Sequence, residues 1–442
     1  MSMAEHILVR GGLAARSIET TGFALLFLML FVPSAYQPLK ACLLLMILGA
    51  LLIRIVADRR IALHPEVAWG CLLFSVVGMA YVLRGYLSGA PGALRVSTVY
   101  VIWPLTNALL MTGLAQGARL WRLARVLVAT TLAICLYCAS YILWAAGWWP
   151  DVLYPALDAR QRIGFYDGFI EFNVTSQSSL LFLVPFVAAA ILSWPRRGAV
   201  ARTWLWLALI LGLIMGLLSG RRAFQLVLAL TPLVALIFWR MLPREQRAER
   251  RSSIKRLLVS AAAAAVLAVV VLQAMYGFDP GVAWATFKTG FHFSTDPVAH
   301  SRATQFDALI DGWLSSPLFG SGHGAQAPGV IRSDTTPWAY ELAYMALLFH
   351  TGLLGLLFYA LGVSWIYLEG VRVIRRGTVL SPLMASVLTG TSTFLIANAT
   401  NPYLEKFDCV WTLFLPLAIV NASLLTEPSA ESVTRPTGFA SG

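Results

Sequence analysis

Residues 276–355 read YGFDPGVAWATFKTGFHFSTDPVAHSRATQFDALIDGWLSSPLFGSGHGAQAPGVIRSDTTPWAYELAYMALLFHTGLLG, and the fold turns on how they are read. The stretch carries Lys288, Arg302, His323, Arg332 and several carboxylates, ends in Trp338-Ala339-Tyr340-Glu341-Leu342, and then returns to apolar sequence. A membrane-spanning helix needs about 20 mainly apolar residues, which this segment does not offer before its last turns. Loops beyond about 12–15 residues are uncommon unless functional. The segment is therefore expected outside the bilayer, presented by a scaffold made of the rest of the chain.

Working outward, hydrophobic residues make up 58% of the 442 and charged residues 12%, with mean hydropathy +0.73. A soluble domain carries about 25% charged residues, so this is an integral membrane protein. Apolar runs predict spans near 20–36, 39–57, 66–83, 96–115, 122–147, 177–194, 202–219, 222–240, 254–275, 352–369, 379–398 and 406–425. The expected fold class is all-α: a polytopic protein of about twelve transmembrane helices with one large loop between the ninth and tenth. Residues 1–275 form a first bundle, 276–351 the loop, 352–426 the last spans and 427–442 a polar tail. Arg10 and Arg16 before the first apolar run suggest a retained first span rather than a cleaved signal.

The net charge of +12 does not imply nucleic acid here, because cytoplasmic loops of membrane proteins collect Lys and Arg. Arg54, Arg59 and Arg60, then Arg119, Arg122 and Arg125, Arg196, Arg197 and Arg202, the run 240–256, and Arg372, Arg375 and Arg376 all fall on one face. Both termini are thus expected in the cytoplasm, and the long loop in the periplasm of a bacterial inner membrane. Arg84, Arg95, Arg160, Arg162, Arg221, Arg222, Arg302 and Arg332 fall on the other face, where topology does not favour them and another reason is required.

Arg221 and Arg222 open a span in LLSGRRAFQLVLAL. They read either as snorkelling residues that hold the helix end at the headgroups or as a bidentate clamp on diphosphate, helped by the helix N-terminus. Arg160 and Arg162 share the loop ALDARQRIGFYDGFIEFN with Asp158, Asp167 and Glu171, so local pairing and glycan binding are both open. Phe306, Leu309, Ile310 and Trp313 recur at helical spacing and predict a surface helix after Arg302, with Asp307 and Asp311 on its wet side. The glycines of Gly320-Ser-Gly322-His323-Gly324 would let backbone approach a ligand. His323 is a candidate acid/base or a structural residue, and His350 a packing residue. Glu341, near the top of an apolar helix, is a candidate general base acting with Arg302, or simply a favourable first-turn carboxylate. Arg332 and Tyr340 complete the candidate binding set. Cys42, Cys71, Cys135, Cys138 and Cys409 lie in or beside apolar runs and read as packing residues. The chain has no HExxH, DxD or Walker loop, so the expected site uses arginine cations, with no metal and no cofactor.

Three segments carry a family likeness. LLSGRRAFQLV resembles a small-Ser-Arg helix start, SRATQFDALIDGWLSSPLFGSGHG an Arg…Trp…Pro-Leu-hydrophobic-Gly-x-Gly-x-Gly loop, and ELAYMALLFHTGLLGLLFY the segment that closes such a loop. Together they resemble the O-antigen ligase/polymerase superfamily of membrane glycosyltransferases. The resemblance implies a GT-C type fold and an undecaprenyl-diphosphate-linked oligosaccharide as donor. The acceptor would be a second glycan or lipid A-core, with membrane lipids and a chain-length regulator as further partners. It puts Arg222 and Arg302 on the family's arginines, but Glu341 where ligases carry a His. That departure favours a polymerase joining repeat units over a ligase. A flippase of the same lipid-linked sugars is a third reading; the absence of an obvious repeat between the two chain halves counts against it.

Overall fold

Prolines punctuate a chain whose apolar runs become helices. Pro38, Pro65 and Pro382 stand in the first turns of three of them, where a missing N–H is no loss. The computed structural model describes residues 18–33, 35–154, 157, 162–166, 169–195, 199–219, 221–248, 297–331 and 333–426, and singly 259, 266, 270 and 281. In order the helices are α1 (Ile18–Phe31), α2 (Gln37–Asp58), α3 (Pro65–Leu87), α4 (Ala93–Leu114) and α5 (Gly117–Ala145). After a hairpin of β1 (Arg162–Tyr166) and β2 (Phe169–Asn173) come α6 (Gln177–Ser193), α7 (Arg202–Leu218) and α8 (Arg222–Met241). α9 (Pro297–Leu314), α10 (Ala343–Arg375), α11 (Ser381–Asn398) and α12 (Trp411–Leu425) complete the set. The antiparallel hairpin, with Arg162 opposite Asn173, is an addition to the expected all-helical architecture. Among the described residues six helices are long and apolar enough to cross a membrane: α2, α3, α4, α5, α8 and α10. The expected span 254–275 and the start of the loop, including Lys288, lie outside the described residues apart from three isolated positions in the span and Gly281.

α6 is buried at every position and packs on α11, which is buried along most of its length. Small residues allow this close approach: a Cβ on Gly390 would stand 2.9 Å from the Phe182 ring and carbonyl. Hydroxyls bind the pair across the contact, Ser193 Oγ lying 2.9 Å from Ser386 Oγ and Thr393 Oγ1 donating to the Leu181 carbonyl at 3.2 Å. Small and hydroxylic side chains are the usual adhesive between helices where apolar packing alone gives no net drive. α2 is the opposite case. It exposes Leu45, Met46, Leu52, Ile53 and Val56, the all-round apolar surface of a helix against lipid.

The arginines separate by end. At one end Glu19 accepts from Arg122 and lies 3.9 Å from Arg119, which itself donates to the Gly113 carbonyl. There also Gln246 donates to the Gly377 carbonyl, and Asn421 of α12 joins the α2–α3 connection through the His64 N–H and the Ala62 carbonyl. The other end carries the connections 88–92, 315–342 and 399–410. A buried ion pair fixes it: Lys40 Nζ is 2.9 Å from Asp408 Oδ1 with both side chains at most 3% exposed, and also donates to the Val32 carbonyl.

Candidate active site

The site is organised by a break in α10. Gly352 adopts φ 63°, ψ −171°, a left-handed backbone that glycine tolerates best. The helical partners of the Leu353 and Leu354 N–H groups would be the carbonyls of Phe349 and His350. Instead those two N–H groups donate to the carbonyls of Pro317 and Leu318, while Ser321 and Gly322 donate to the carbonyls of Phe349 and His350, at 2.8–3.1 Å. The break and the loop thus satisfy one another's backbone groups, four N–H donors meeting four carbonyls.

Next in the chain, the glycine run threads into the bundle. Gly320, Gly322 and Gly324 have φ of 64°, 92° and 80°. A Cβ on Gly322 would lie 2.2 Å from the Gly85 nitrogen, and one on Gly324 2.3 Å from the backbone of Gly92 and Ala93. What these glycines approach is the protein's own backbone, where the sequence suggested a ligand. His323 follows them inside. Its N–H donates to the Tyr81 carbonyl, its ring stacks on Tyr100 at 3.7 Å between centroids, and its Nε2 is 3.0 Å from the Tyr359 hydroxyl. The imidazole is fully buried and Nδ1 has no hydrogen-bond partner. Burial, followed by the neighbouring charge of His350, holds its pKa well below the usual value. His350 is also buried and lies 2.9 Å from the Ala325 carbonyl through Nε2, a packing role.

Two of the unexpected arginines brace this loop. Arg84 donates through Nε to the Gly320 carbonyl at 2.7 Å and through Nη2 to Ser316. Arg95 reaches the Thr335 carbonyl at 3.4 Å and lies over the Trp338 ring, which is itself pressed on Gly92.

The surface helix exists, but begins at Pro297, so Arg302 sits in its second turn and not before it. Arg302, Gln305 and Leu309 share a face. Arg302 Nε donates to Glu341 Oε2 at 2.7 Å, and Gln305 Oε1 accepts from the Glu341 N–H at 2.9 Å. Thus Glu341, two residues ahead of α10, is held through both backbone and side chain. The pair remains open, with side-chain exposures of 33% for Arg302 and 23% for Glu341. Tyr340 points the other way. It is fully buried with Leu309, Ala327 and Phe349, and its hydroxyl accepts from the Ala327 N–H at 2.6 Å. It thus anchors the loop, away from the solvent-facing position expected of a glycan-binding side chain.

From Ala343, two residues after Glu341, α10 lines a cavity of 440 Å³ that it shares with α3, α4, α11 and α12. Its walls are mostly apolar, among them Phe74, Leu347, Trp365 and Phe414, with Tyr344, Asn398 and Glu405 as polar members. Tyr100 and Tyr359, the partners of His323, form part of the same wall. The charge of Glu405 acts on both Tyr100 and Tyr340, placing this second carboxylate beside the loop. Sequence reading gave it no role, because an isolated Glu in the connection 398–408 carries no motif. Its proximity to Asn398 is the only local signal.

Arg221 and Arg222 lie at the start of α8. Arg221 precedes the helix with its N–H 3.3 Å from Ser219 Oγ, Arg222 is the first helical residue, and both are half-buried. Phe224 then packs on Gly216 of α7, and the Arg221 charge reaches Cys138 of α5. Arg162 is placed only by its backbone, at the start of β1. Arg160 and Arg332 lie outside the described residues. Among the described residues no three His, Cys, Asp or Glu side chains gather as metal ligands.

Comparison with known families finds a match over residues 207–360. This stretch matches the O-antigen ligase family. The match agrees with the superfamily that the three motifs resemble. It runs from α7 to the middle of α10, and so contains Arg221, Arg222, the Arg302–Glu341 pair, the glycine run and Tyr359. The part outside the O-antigen ligase match supplies α3, α4, α11 and α12, the other walls of the cavity. No curated protein matches the chain.

Proposed function

We propose that this protein is a membrane glycosyltransferase that joins lipid-linked glycan repeat units at the periplasmic face of a bacterial inner membrane. The carrying observation is the open Arg302–Glu341 pair, whose Glu341 lies two residues ahead of Ala343, where α10 begins to line a mostly apolar cavity. The donor's polyprenyl chain lies in the cavity and its diphosphate faces the arginines. Glu341 takes the proton of the acceptor hydroxyl, whose oxygen attacks the glycosyl carbon. The bond from that carbon to the diphosphate oxygen breaks, and the diphosphate leaves with the electron pair. Arg221 and Arg222 neutralise it, their planar forks matching phosphate oxygens. Arg302 orients Glu341. His323, fully buried between two tyrosines, serves to anchor the loop rather than to exchange protons with substrate.

The description of the matching family favours a second reading, transfer to lipid A-core by a ligase. Purified protein given lipid-linked repeat units, with and without lipid A-core, separates the two. Chain extension without lipid A-core is the expected result. Transfer to lipid A-core alone makes it a ligase, and translocation without transfer makes it a transporter. Arg222→Ala should abolish transfer and Arg222→Lys restore little of it, since a point charge does not grip diphosphate as a fork. Near-normal product with Ala returns Arg222 to a snorkelling role. A cytoplasmic signal from a reporter fused at Gly329 overturns the periplasmic assignment.

A further inference from the structure

The arginine-rich end of the bundle contains a second constellation that glycan transfer does not use. A groove of 640 Å³ is lined by Leu51, Arg54, Asp58, Arg60 and Thr112. On the other side of Leu51 lies a separate, mostly apolar cavity of 130 Å³, whose walls include Phe23, Met29, Trp103 and Phe414, with Glu19 and Asn107 as polar members. Leu51 lines both spaces, and its methyl group rests 3.5 Å from where a Cβ on Gly113 would stand. A charged groove and an apolar slot thus meet at one small partition.

The charge in the groove is unbalanced. Two of its lining residues are arginines, Arg54 and Arg60, and one is a carboxylate, Asp58. The Arg54–Asp58 contact, 3.2 Å long, joins groups 37% and 56% exposed, a kind of pair worth little, and it engages one of five guanidinium donors. The Arg54 charge also bears on Arg119 of α5, whose carboxylate neighbour Glu19 is already shared with Arg122, so cations outnumber carboxylates here. A zwitterionic headgroup brings its own cation to such a place, whereas an anionic one relieves it. A soluble phosphate would satisfy the arginines but leave the apolar slot unexplained.

We propose that this end of the protein holds one anionic phospholipid, its phosphate between Arg54 and Arg60 and one acyl chain entering the slot past Leu51. The lipid ties the lipid-facing α2 to α1, α4 and α12. The site is remote from Glu341, so the proposal stands or falls independently of the transferase reading.

The test is native mass spectrometry of the full chain released from phosphatidylcholine nanodiscs doped with phosphatidylglycerol or, in parallel, phosphatidylethanolamine. Wild type is expected to retain phosphatidylglycerol selectively, with glycerol phosphate unable to displace it. Arg54→Ala with Arg60→Ala should weaken retention roughly tenfold to thirtyfold, each basic side chain near an anionic surface being worth about fivefold. Leu51→Trp, which leaves every charge in place, should weaken it too. Helix content by circular dichroism shows that the variants are folded. Equal retention of both lipids, or undiminished retention in the arginine variant, overturns the proposal. Loss in the arginine variant without loss in Leu51→Trp also overturns it, leaving surface attraction alone.

Discussion

The two ends of the described loop are built in opposite ways. The stretch 317–325 is joined to the bundle by backbone: four hydrogen bonds exchanged with the break at Gly352, three left-handed glycines (Gly320 pressed on His350 and Gly352, Gly322 on Gly85, Gly324 on Gly92 and Ala93), and a buried imidazole. The Arg302–Glu341 contact is made by side chains, is partly exposed, and has its Glu341 two residues ahead of Ala343, where α10 begins to line a cavity. Backbone contacts without room for a Cβ specify position and leave nothing to react. Side-chain charges at a half-open surface specify little by themselves, but can meet a substrate. The rigid part supplies precision to the open part, because α10 begins two residues after Glu341 and is broken where the glycine run docks.

The largest effect that sharpens this contrast falls on the open part. Glu341→Gln keeps the shape of the pair and removes the base, so chain extension by purified protein should fall about 10²–10⁴-fold, while binding of the lipid-linked donor persists. Arg302→Ala should reduce extension as well, with Lys restoring less than half of the loss. Extension by Glu341→Gln at the wild-type rate breaks the comparison, since the open part would then hold no chemistry.

A smaller effect is expected on the rigid part. Gly322→Ala meets both a left-handed φ and a Cβ 2.2 Å from the Gly85 nitrogen. Gly329 has a similar φ of 75° but nothing within 4 Å of its Cβ. Ala at Gly329 should cost only the conformational strain, about 1–2 kcal/mol; Ala at Gly322 should cost more and release the loop to protease. Equal melting temperatures for the two variants mean that the close backbone approach contributes nothing.

Much of this was legible beforehand, for physical reasons that differ by residue. Apolar runs gave the helices, because apolar composition over enough length admits few other structures in lipid. Helical spacing at Phe306, Leu309, Ile310 and Trp313 gave the surface helix, although Phe306 proved exposed. Arg84 and Arg95 were conspicuous as misplaced charges, but their partners are carbonyls and a ring 200 and more residues away, which local sequence does not encode. The exchange at Gly352 was hidden because that glycine reads as the ordinary start of a span. Tyr340 and His323 look like site residues only while their burial is unknown. Glu405 was invisible, since its cavity is assembled from five separate helices.

The smallest effect is a pH dependence of loop docking, and it tests whether His323 belongs to the rigid part. The docked imidazole is kept neutral, its pKa held well below the usual value by burial and by the charge of His350. Once undocked, the ring titrates near the ordinary value of about 6.5. Below that pH the undocked loop binds a proton that the docked loop does not. Docking stability is therefore complete above about pH 6.5 and declines as the pH falls, by up to about 1.4 kcal/mol per pH unit for one proton. Amide exchange at Gly322 and His323, measured in nanodiscs from neutral to mildly acid pH and corrected for intrinsic rates, should show protection decreasing in that direction. His323→Asn cannot take up the proton, so its protection should start lower and vary less with pH. An unchanged slope in that variant assigns the titration to another group and removes His323 from the set of residues that hold the loop.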